Sequence, residues 1–349
     1  DSGRYLGMDG ENPFDQCAMA NLTVTFHRKK TGHVLAQGPQ GSGQIVVCDI
    51  GLPSLPPQDC PDRVSQAQAP SWVLAKGVGY HKYSHGHVLV LAGPVGQGGA
   101  ARLAARGALR VGAGVVTVGC PPAAMMENAA ALNAVMLRSI ADAATYRDML
   151  NDKRINALCL GPGLGTASRE TALVKAALLS QRALVLDADA LTIVAANPAL
   201  FGMLHPKCVL TPHAGEFARL FPDIAATLEA PANTGPTYSK VDAARAAANR
   251  AGCVVVLKGA DSVIASPDHQ TSVNCAFGDQ AAPWLATAGS GDVLAGFIAG
   301  LLARGVAPQP AACTGVWLHG ACARKFGPGL IAEDLPEQIP AVFRDLGIT

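Results

Sequence analysis

Charged residues are scarce in this chain, 15% of 349, and neither sign prevails: 27 Lys+Arg stand against 26 Asp+Glu, a formal net charge of +1. A nucleic-acid binder carries a basic excess or stripe, and a disordered chain combines high net charge with low hydrophobicity. A near-neutral chain that is 49% hydrophobic belongs to neither class. Long apolar runs are also lacking. The longest uncharged apolar stretch in a helical context, Val293 to Ala303, falls well short of the roughly 20 residues that span a bilayer, so no nucleic-acid and no membrane partner is expected. The ten cysteines contain no C-x-x-C pair; most of them (Cys48, Cys120, Cys159, Cys208, Cys253) sit in or beside short apolar runs and read as reduced core thiols of a cytoplasmic protein. No secretory signal opens the sequence, since Asp1-Ser2-Gly3-Arg4-Tyr5 leads into polar, Gly-containing sequence. An initiator Met is missing too, and the chain is expected to begin inside a longer protein. No strand is followed by G-x-x-x-x-G-K-[ST] or a proper G-x-G-x-x-G, which argues against a P-loop NTPase and a standard dinucleotide-binding Rossmann half. Aromatic residues, at 5%, offer no patch from which an oligomer could be read.

Glycine (38) and proline (24), by contrast, recur between short apolar strands and Ala-rich helical stretches. Strands are expected at Val88 to Leu91, Val115 to Val118, Ala157 to Leu160, Ala183 to Leu186, Val209 to Leu210 and Val254 to Leu257. Their continuous Val/Leu runs suit parallel strands covered on both faces. Helices are expected at Ala100 to Arg110, Glu170 to Ser180, Glu216 to Leu220, Lys240 to Arg250 and Asp292 to Ala303, giving a layered α/β domain. Ahead of it, Leu22 to Phe26 and Gln44 to Asp49 are β-like and lead into the proline-rich Pro53 to Pro61. We therefore divide the chain into an N-terminal segment (1–53), a linker (54–70) and the α/β domain (71–349).

The strongest local signal for chemistry is Thr287-Ala288-Gly289-Ser290-Gly291-Asp292 opening an apolar helix. Three small residues there let backbone N–H groups and the helix dipole converge on an anion, and Asp292 would extend a carboxylate toward a hydroxyl in front of that hole; helix capping is the equal alternative. Lys258-Gly259-Ala260-Asp261-Ser262 follows a strand end, where open α/β sheets bind ligands, or is simply a hairpin turn. Gly161-Pro162-Gly163-Leu164-Gly165 is a loop against a flat ligand or a tight βα turn. His213, in Thr211-Pro212-His213-Ala214-Gly215-Glu216, could bond a polar substrate or start a helix. Asp187 and Asp189 could both face a metal or a ribose, or cap a helix. His81, His85 and His87 resemble a metal cluster, but the surrounding loop brings no carboxylate or cysteine, and no metal ligand is assigned.

Taken in order, these strings resemble the ribokinase-like superfamily from about residue 70 onward and, more closely, the ADP-dependent NAD(P)H-hydrate dehydratases. The matching stretches are Gly112 to Thr117, Gly161 to Gly165, Leu186 to Leu191, Thr211 to Glu216, Leu257 to Ala260 and Ala288 to Gly296. Ala20 to His33, ending at Asp49-Ile50-Gly51-Leu52-Pro53, is similar to the closing segment of an NAD(P)H-hydrate epimerase domain. The resemblance implies a three-layer αβα domain with a mostly parallel central sheet, preceded by a partial Rossmann-like epimerase segment. It implies nicotinamide-nucleotide repair: dehydration of the S form of NADHX or NADPHX with ADP or ATP as phosphoryl donor and Mg²⁺ as cofactor, in a homo-oligomer. Asp292 would be the catalytic base, Gly289, Ser290 and Gly291 the anion hole, and Lys258, Gly259, Ala260, Asp261, Ser262 and Gly291 the nucleotide contacts. Ala100, Gly163, His213 and Asp292 would meet the substrate. Epimerase activity, with K⁺ in that part, is the further implication. The alternatives are a ribokinase-like kinase of hydroxyethylthiazole or a pyrimidine alcohol, and a nucleotide-binding sensor that has no need of a carboxylate facing an anion hole.

Overall fold

A computed structural model describes residues 19–53, 63–70, 74–230 and 238–348. The opening residues around Asp1-Ser2-Gly3 and most of the proline-rich stretch lie outside the described residues. The described residues form twelve strands: β1 Leu22–Phe26, β2 Gln44–Cys48, β3 Val64–Gln66, β4 His87–Leu91, β5 Val115–Cys120, β6 Met136–Ser139, β7 Ala157–Leu160, β8 Ala183–Leu186, β9 Cys208–Leu210, β10 Val254–Leu257, β11 Asp261–Ala265 and β12 Thr271–Cys275. β3 to β12 form one ten-stranded sheet in the order β3-β12-β11-β10-β9-β8-β7-β4-β5-β6. Every pairing is parallel except those of β11, which runs antiparallel to both β10 and β12.

The Val/Leu runs are buried on both faces, as parallel strands between two helix layers require. Period-two alternation still sorts them. Val88, Val90, Val116, Val118, Val185 and Val254 join one core, with α1 (Gly98–Arg110), α6 (Ser290–Ala303), α7 (Pro308–Phe326) and α8 (Asp334–Asp345). Leu89, Leu91, Leu158, Leu160, Leu184, Leu186 and Leu257 join the other, with α2 (Ser168–Leu179), α3 (Ala188–Ala196), α4 (Ala214–Leu220) and α5 (Lys240–Ala251). The result is a three-layer αβα domain. α6 is almost wholly buried and crosses α1 at close range: a Cβ on Gly296 would lie 2.0 Å from the Ala104 carbonyl oxygen. Only glycine permits that approach, and it fixes where the N-terminus of α6 emerges.

Two departures from the sequence reading concern the segment before the domain. Val64–Gln66, assigned to the linker, form an edge strand that pairs in parallel with β12, so that end of the linker belongs to the sheet. β1 and β2 make a separate parallel pair, yet the stretch between them does not stand apart: Leu35 is 1% exposed and packs into the core beneath α2 to α5. The eight cysteines of the described residues are all free, with Cys120, Cys159, Cys208 and Cys253 buried and Cys48 half-buried. No single helix among the described residues is long and apolar enough to cross a membrane.

Candidate active site

The loops after β8, β9 and β10 converge at the C-terminal edge of the sheet, where the N-terminus of α6 meets them across a cavity of about 790 Å³. α6 starts abruptly. Gly289 takes φ +87°, a left-handed conformation, and a Cβ there would crowd Leu103 at 2.8 Å and Ala332 at 2.9 Å. The Ser290 hydroxyl donates to the Leu285 carbonyl at 2.9 Å, and no side chain caps the helix. The first helical bond runs from the Val293 N–H to the Gly289 carbonyl at 3.2 Å. The N–H groups of Gly291 and Asp292 precede it and have no intrahelical acceptor, so dipole and donors are free for an anion.

Lys258 faces that opening. Its Nζ is 2.9 Å from Asp187 Oδ1 and 3.8 Å from Glu216 Oε2, and a Cβ on Gly291 would lie 3.5 Å from it. Burial opposes its charge, but Asp187, Glu216 and Asp292 outweigh burial and hold the ammonium above its usual range. Asp187 also accepts from the Thr211 hydroxyl at 2.8 Å. Asp292, in the first turn of α6, is pushed up to about 6, first by burial and then by Asp187, with Lys258 pulling the other way and Asp189 and Glu216 adding to the rise. A carboxylate poised there is ionised at neutral pH yet takes a proton readily.

The Asp pair divides rather than sharing one side. Asp187 turns into the cavity, while Asp189 Oδ2 accepts the Gly165 N–H at 2.8 Å and ties down the Gly161–Gly165 loop. His213 proves to be a helix cap: its Nδ1 accepts from the N–H groups of Gly215 (3.0 Å) and Glu216 (3.3 Å), and Glu216 Oε2 accepts the His213 N–H at 2.8 Å. It lines the cavity all the same. Both alternatives for Lys258 also coincide, because the hairpin turn between β10 and β11 is part of the lining.

Of the residues singled out in the sequence, Asp187, His213, Lys258, Gly259, Ala260, Ser262, Gly289, Ser290, Gly291 and Asp292 line the one cavity. Ala100, Gly163 and Asp261 are outside that lining. Gly163 packs beside Ala100, where an added Cβ would lie 3.3 Å from the alanine methyl. Asp261 stands behind the turn: its Oδ1 pairs with Lys240 Nζ at 2.6 Å and its Oδ2 accepts the Ala36 N–H at 2.8 Å. Lys240 Nζ also donates to the Lys258 carbonyl at 3.4 Å, and the Ser262 hydroxyl donates to the Gly259 carbonyl at 2.7 Å, so the turn is braced from its far side. Sequence reasoning missed His319 on α7, which lines the cavity with its Nε2 2.8 Å from the Ser290 carbonyl oxygen. A lone polar residue in the otherwise apolar run Val316-Trp317-Leu318-His319-Gly320 was the available signal.

This geometry can be set beside known proteins. The sequence pattern of NAD(P)H-hydrate dehydratases matches residues 88–340. The chain belongs to the NAD(P)H-hydrate dehydratase family. A bifunctional NAD(P)H-hydrate repair enzyme of Moorella thermoacetica is 36% identical over 98% of the chain and 65% of its own length, and that of Escherichia coli K12 is 31% identical over 90% and 59%. The chain thus spans between half and two thirds of the length of the curated relatives it matches. Among solved structures, an ADP/ATP-dependent NAD(P)H-hydrate dehydratase of Bacillus subtilis, co-crystallized with ATP/Mg²⁺, aligns at TM-score 0.62 with 25% identity, covering 85% of this chain and 99% of that one. A hydroxyethylthiazole kinase of Pyrococcus horikoshii shares the fold at TM-score 0.52 with 14% identity, covering 75% and 92%.

Among this family member's described residues, no group of three or more His, Cys, Asp or Glu could hold a metal by itself. The carboxylates that do line the cavity would suit Mg²⁺, which keeps water and phosphate oxygens around it and takes only one or two carboxylates from a protein. Asp187 and Glu216, both lining the cavity, are the carboxylates placed to lend one.

Proposed function

We propose that the chain restores NADH or NADPH from its hydrate, with ADP or ATP as phosphoryl donor. One observation carries the reading: free N–H groups of a helix, a charged lysine and a carboxylate with raised proton affinity converge on a single cavity. Asp292 takes the proton of the ring hydroxyl as its oxygen attacks the terminal phosphorus, and the bond to AMP (from ADP) or to ADP (from ATP) breaks. Charge gathering on the transferred group meets the N–H groups of Gly291 and Asp292 and the Lys258 ammonium. The ring nitrogen's lone pair then expels phosphate, a far better leaving group than hydroxide, and a proton lost from the adjacent ring carbon restores the double bond. Bound with the nucleotide, Mg²⁺ neutralises phosphate charge where Asp187, Glu216 and Asp292 outnumber Lys258.

His213 is assigned to the substrate side and the Lys258–Ser262 turn to the nucleotide phosphates. Ala100 and Gly163 shape the substrate end from outside the lining, and Asp261 serves the nucleotide through the turn it braces. A homo-oligomer in the cytoplasm is the proposed setting, with light scattering as its check. Epimerase activity, with K⁺, is proposed only for a protein that also carries the remainder of the bifunctional relatives' length. The test is absorbance at 340 nm after adding protein to chemically hydrated NADH with Mg²⁺ and ADP, ATP or neither. A nucleotide-dependent rise is expected. A flat trace alongside demonstrated nucleotide binding would overturn the reading in favour of a small-alcohol kinase.

A further inference from the structure

We infer that His319 aims the anion hole: its ring holds the Ser290–Gly291 peptide so that the Gly291 N–H points at the transferred phosphoryl group. The inference rests on the dehydratase reading above and makes His319 a positioning residue, not a group that touches the reacting atoms. His319 Nε2 lies 2.8 Å from the Ser290 carbonyl oxygen. A carbonyl only accepts, so the ring hydrogen is assigned to Nε2 on the strength of its partner. Across a trans peptide the C=O and N–H bonds point in opposite directions, so a donor that fixes the Ser290 carbonyl also fixes the Gly291 N–H. A donor on that carbonyl polarises the peptide as well and makes the N–H a stronger donor in turn.

The ring is held on its other sides. α7 lies close against α6 because Gly315 faces Ile298, where an added Cβ would come within 2.7 Å of Ile298 Cγ1. The His319 ring stands edge-on to Phe297, two turns further along α6 than Ser290, at 6.4 Å between centroids and 80° between planes. Burial, with Lys258 assisting, lowers its pKa to about 4 against the opposing Ser290 bond, so the imidazole stays neutral through the physiological range and its donor does not change.

The experiment compares His319→Leu, which removes the donor, with His319→Gln, which keeps an N–H at similar reach. Both are read by kcat and KM in the 340 nm assay and by Tm. The leucine variant should lose roughly 10- to 100-fold in kcat, less than deleting an anion-hole donor outright, with KM for ADP little changed. The glutamine variant should recover most of it. Parent-like kcat in His319→Leu, or equal losses in two folded variants, would overturn the inference. If neither variant folds, ¹⁵N-histidine NMR of the unaltered protein between pH 5 and 8 decides: an Nε2–H neutral ring supports it, and an Nδ1–H ring or an imidazolium refutes it. A parent protein with no rise at 340 nm fails the dehydratase reading alone, and the NMR then judges His319 by itself.

Discussion

Replacing Asp292 by Asn should abolish turnover and make the protein more stable, and the pH dependence of the second effect tests the first. The Asp292 carboxyl goes from its ordinary 3.8 to about 6, chiefly because it is buried. A folded pKa above the unfolded one means that the fold disfavours the ionised form. The cost is absent below about pH 4, grows between the two values, and is complete above pH 6. At 1.36 kcal/mol per pKa unit it reaches at most about 3 kcal/mol. Asn removes the charge at nearly constant volume but brings an amide that needs partners, so a gain of about 2 kcal/mol, roughly 3 °C in Tm for a chain of this length, is expected at pH 7.5. At pH 5 the cost falls to about half while the amide's offset stays, so the gain should fall to roughly a third. Turnover of Asp292→Asn should drop by about 10²- to 10⁴-fold, because the amide accepts no proton. The parent's kcat/KM should rise with pH through about 6, as ionised Asp292 is the active form, and then level off. Thermal melts and initial rates across pH 5 to 8 check this together. No stabilisation at pH 7.5, or one equal at pH 5, would refute the account of a buried, strained base.

Three other substitutions probe the frame around that base. Gly291→Ala should fold normally, since its Cβ would reach only ordinary contact 3.5 Å from Lys258 Nζ, yet crowd the anion hole and weaken nucleotide-dependent turnover by tenfold or more in the 340 nm assay. Lys258→Met strands the buried Asp187 carboxylate beside Glu216; nucleotide affinity by calorimetry should collapse, and stability at neutral pH should fall by about 3 kcal/mol in thermal or denaturant melts. Leu35→Ala opens a cavity worth about 2–4 kcal/mol under the N-terminal segment and slackens the Ala36 N–H on Asp261; the Kd for ADP should rise several-fold although Leu35 is remote from the cavity, and an unchanged Kd would contradict the brace.

What could be read from the sequence follows from how local each signal is. β7, β8 and β10 fall where their Val/Leu runs place them, because strands buried on both faces write themselves as uninterrupted apolar text. β6, an edge strand of Met136–Ser139 with little burial, and the β11–β12 hairpin, whose strands are interrupted by Asp261, Ser262, Thr271, Ser272 and Asn274, carry no such run. α7 hides behind prolines in its first turn and the internal Gly315 and Gly320, residues that lower helix propensity but permit the close approach to α6.

The site divides along the same line. Gly289 to Asp292 is a contiguous string whose place at a helix start is legible from spacing, although spacing leaves capping and chemistry as equal alternatives for Asp292. Asp261 is contiguous with Lys258 as well, yet its role depends on Lys240, 21 residues back, and on Ala36, 225 residues back. Spacing places that carboxylate near the phosphates but cannot say on which side of the turn it falls. The side matters physically: behind the turn, Asp261 lets Lys240 hold the Lys258 carbonyl and adds no fourth carboxylate to Asp187, Glu216 and Asp292 around the Lys258 ammonium in the cavity. The N-terminal segment, through Ala36, therefore supports the wall of the cavity that the Lys258–Ser262 turn forms, and that turn, bonded internally by Ser262, is held by groups from two other stretches of the chain.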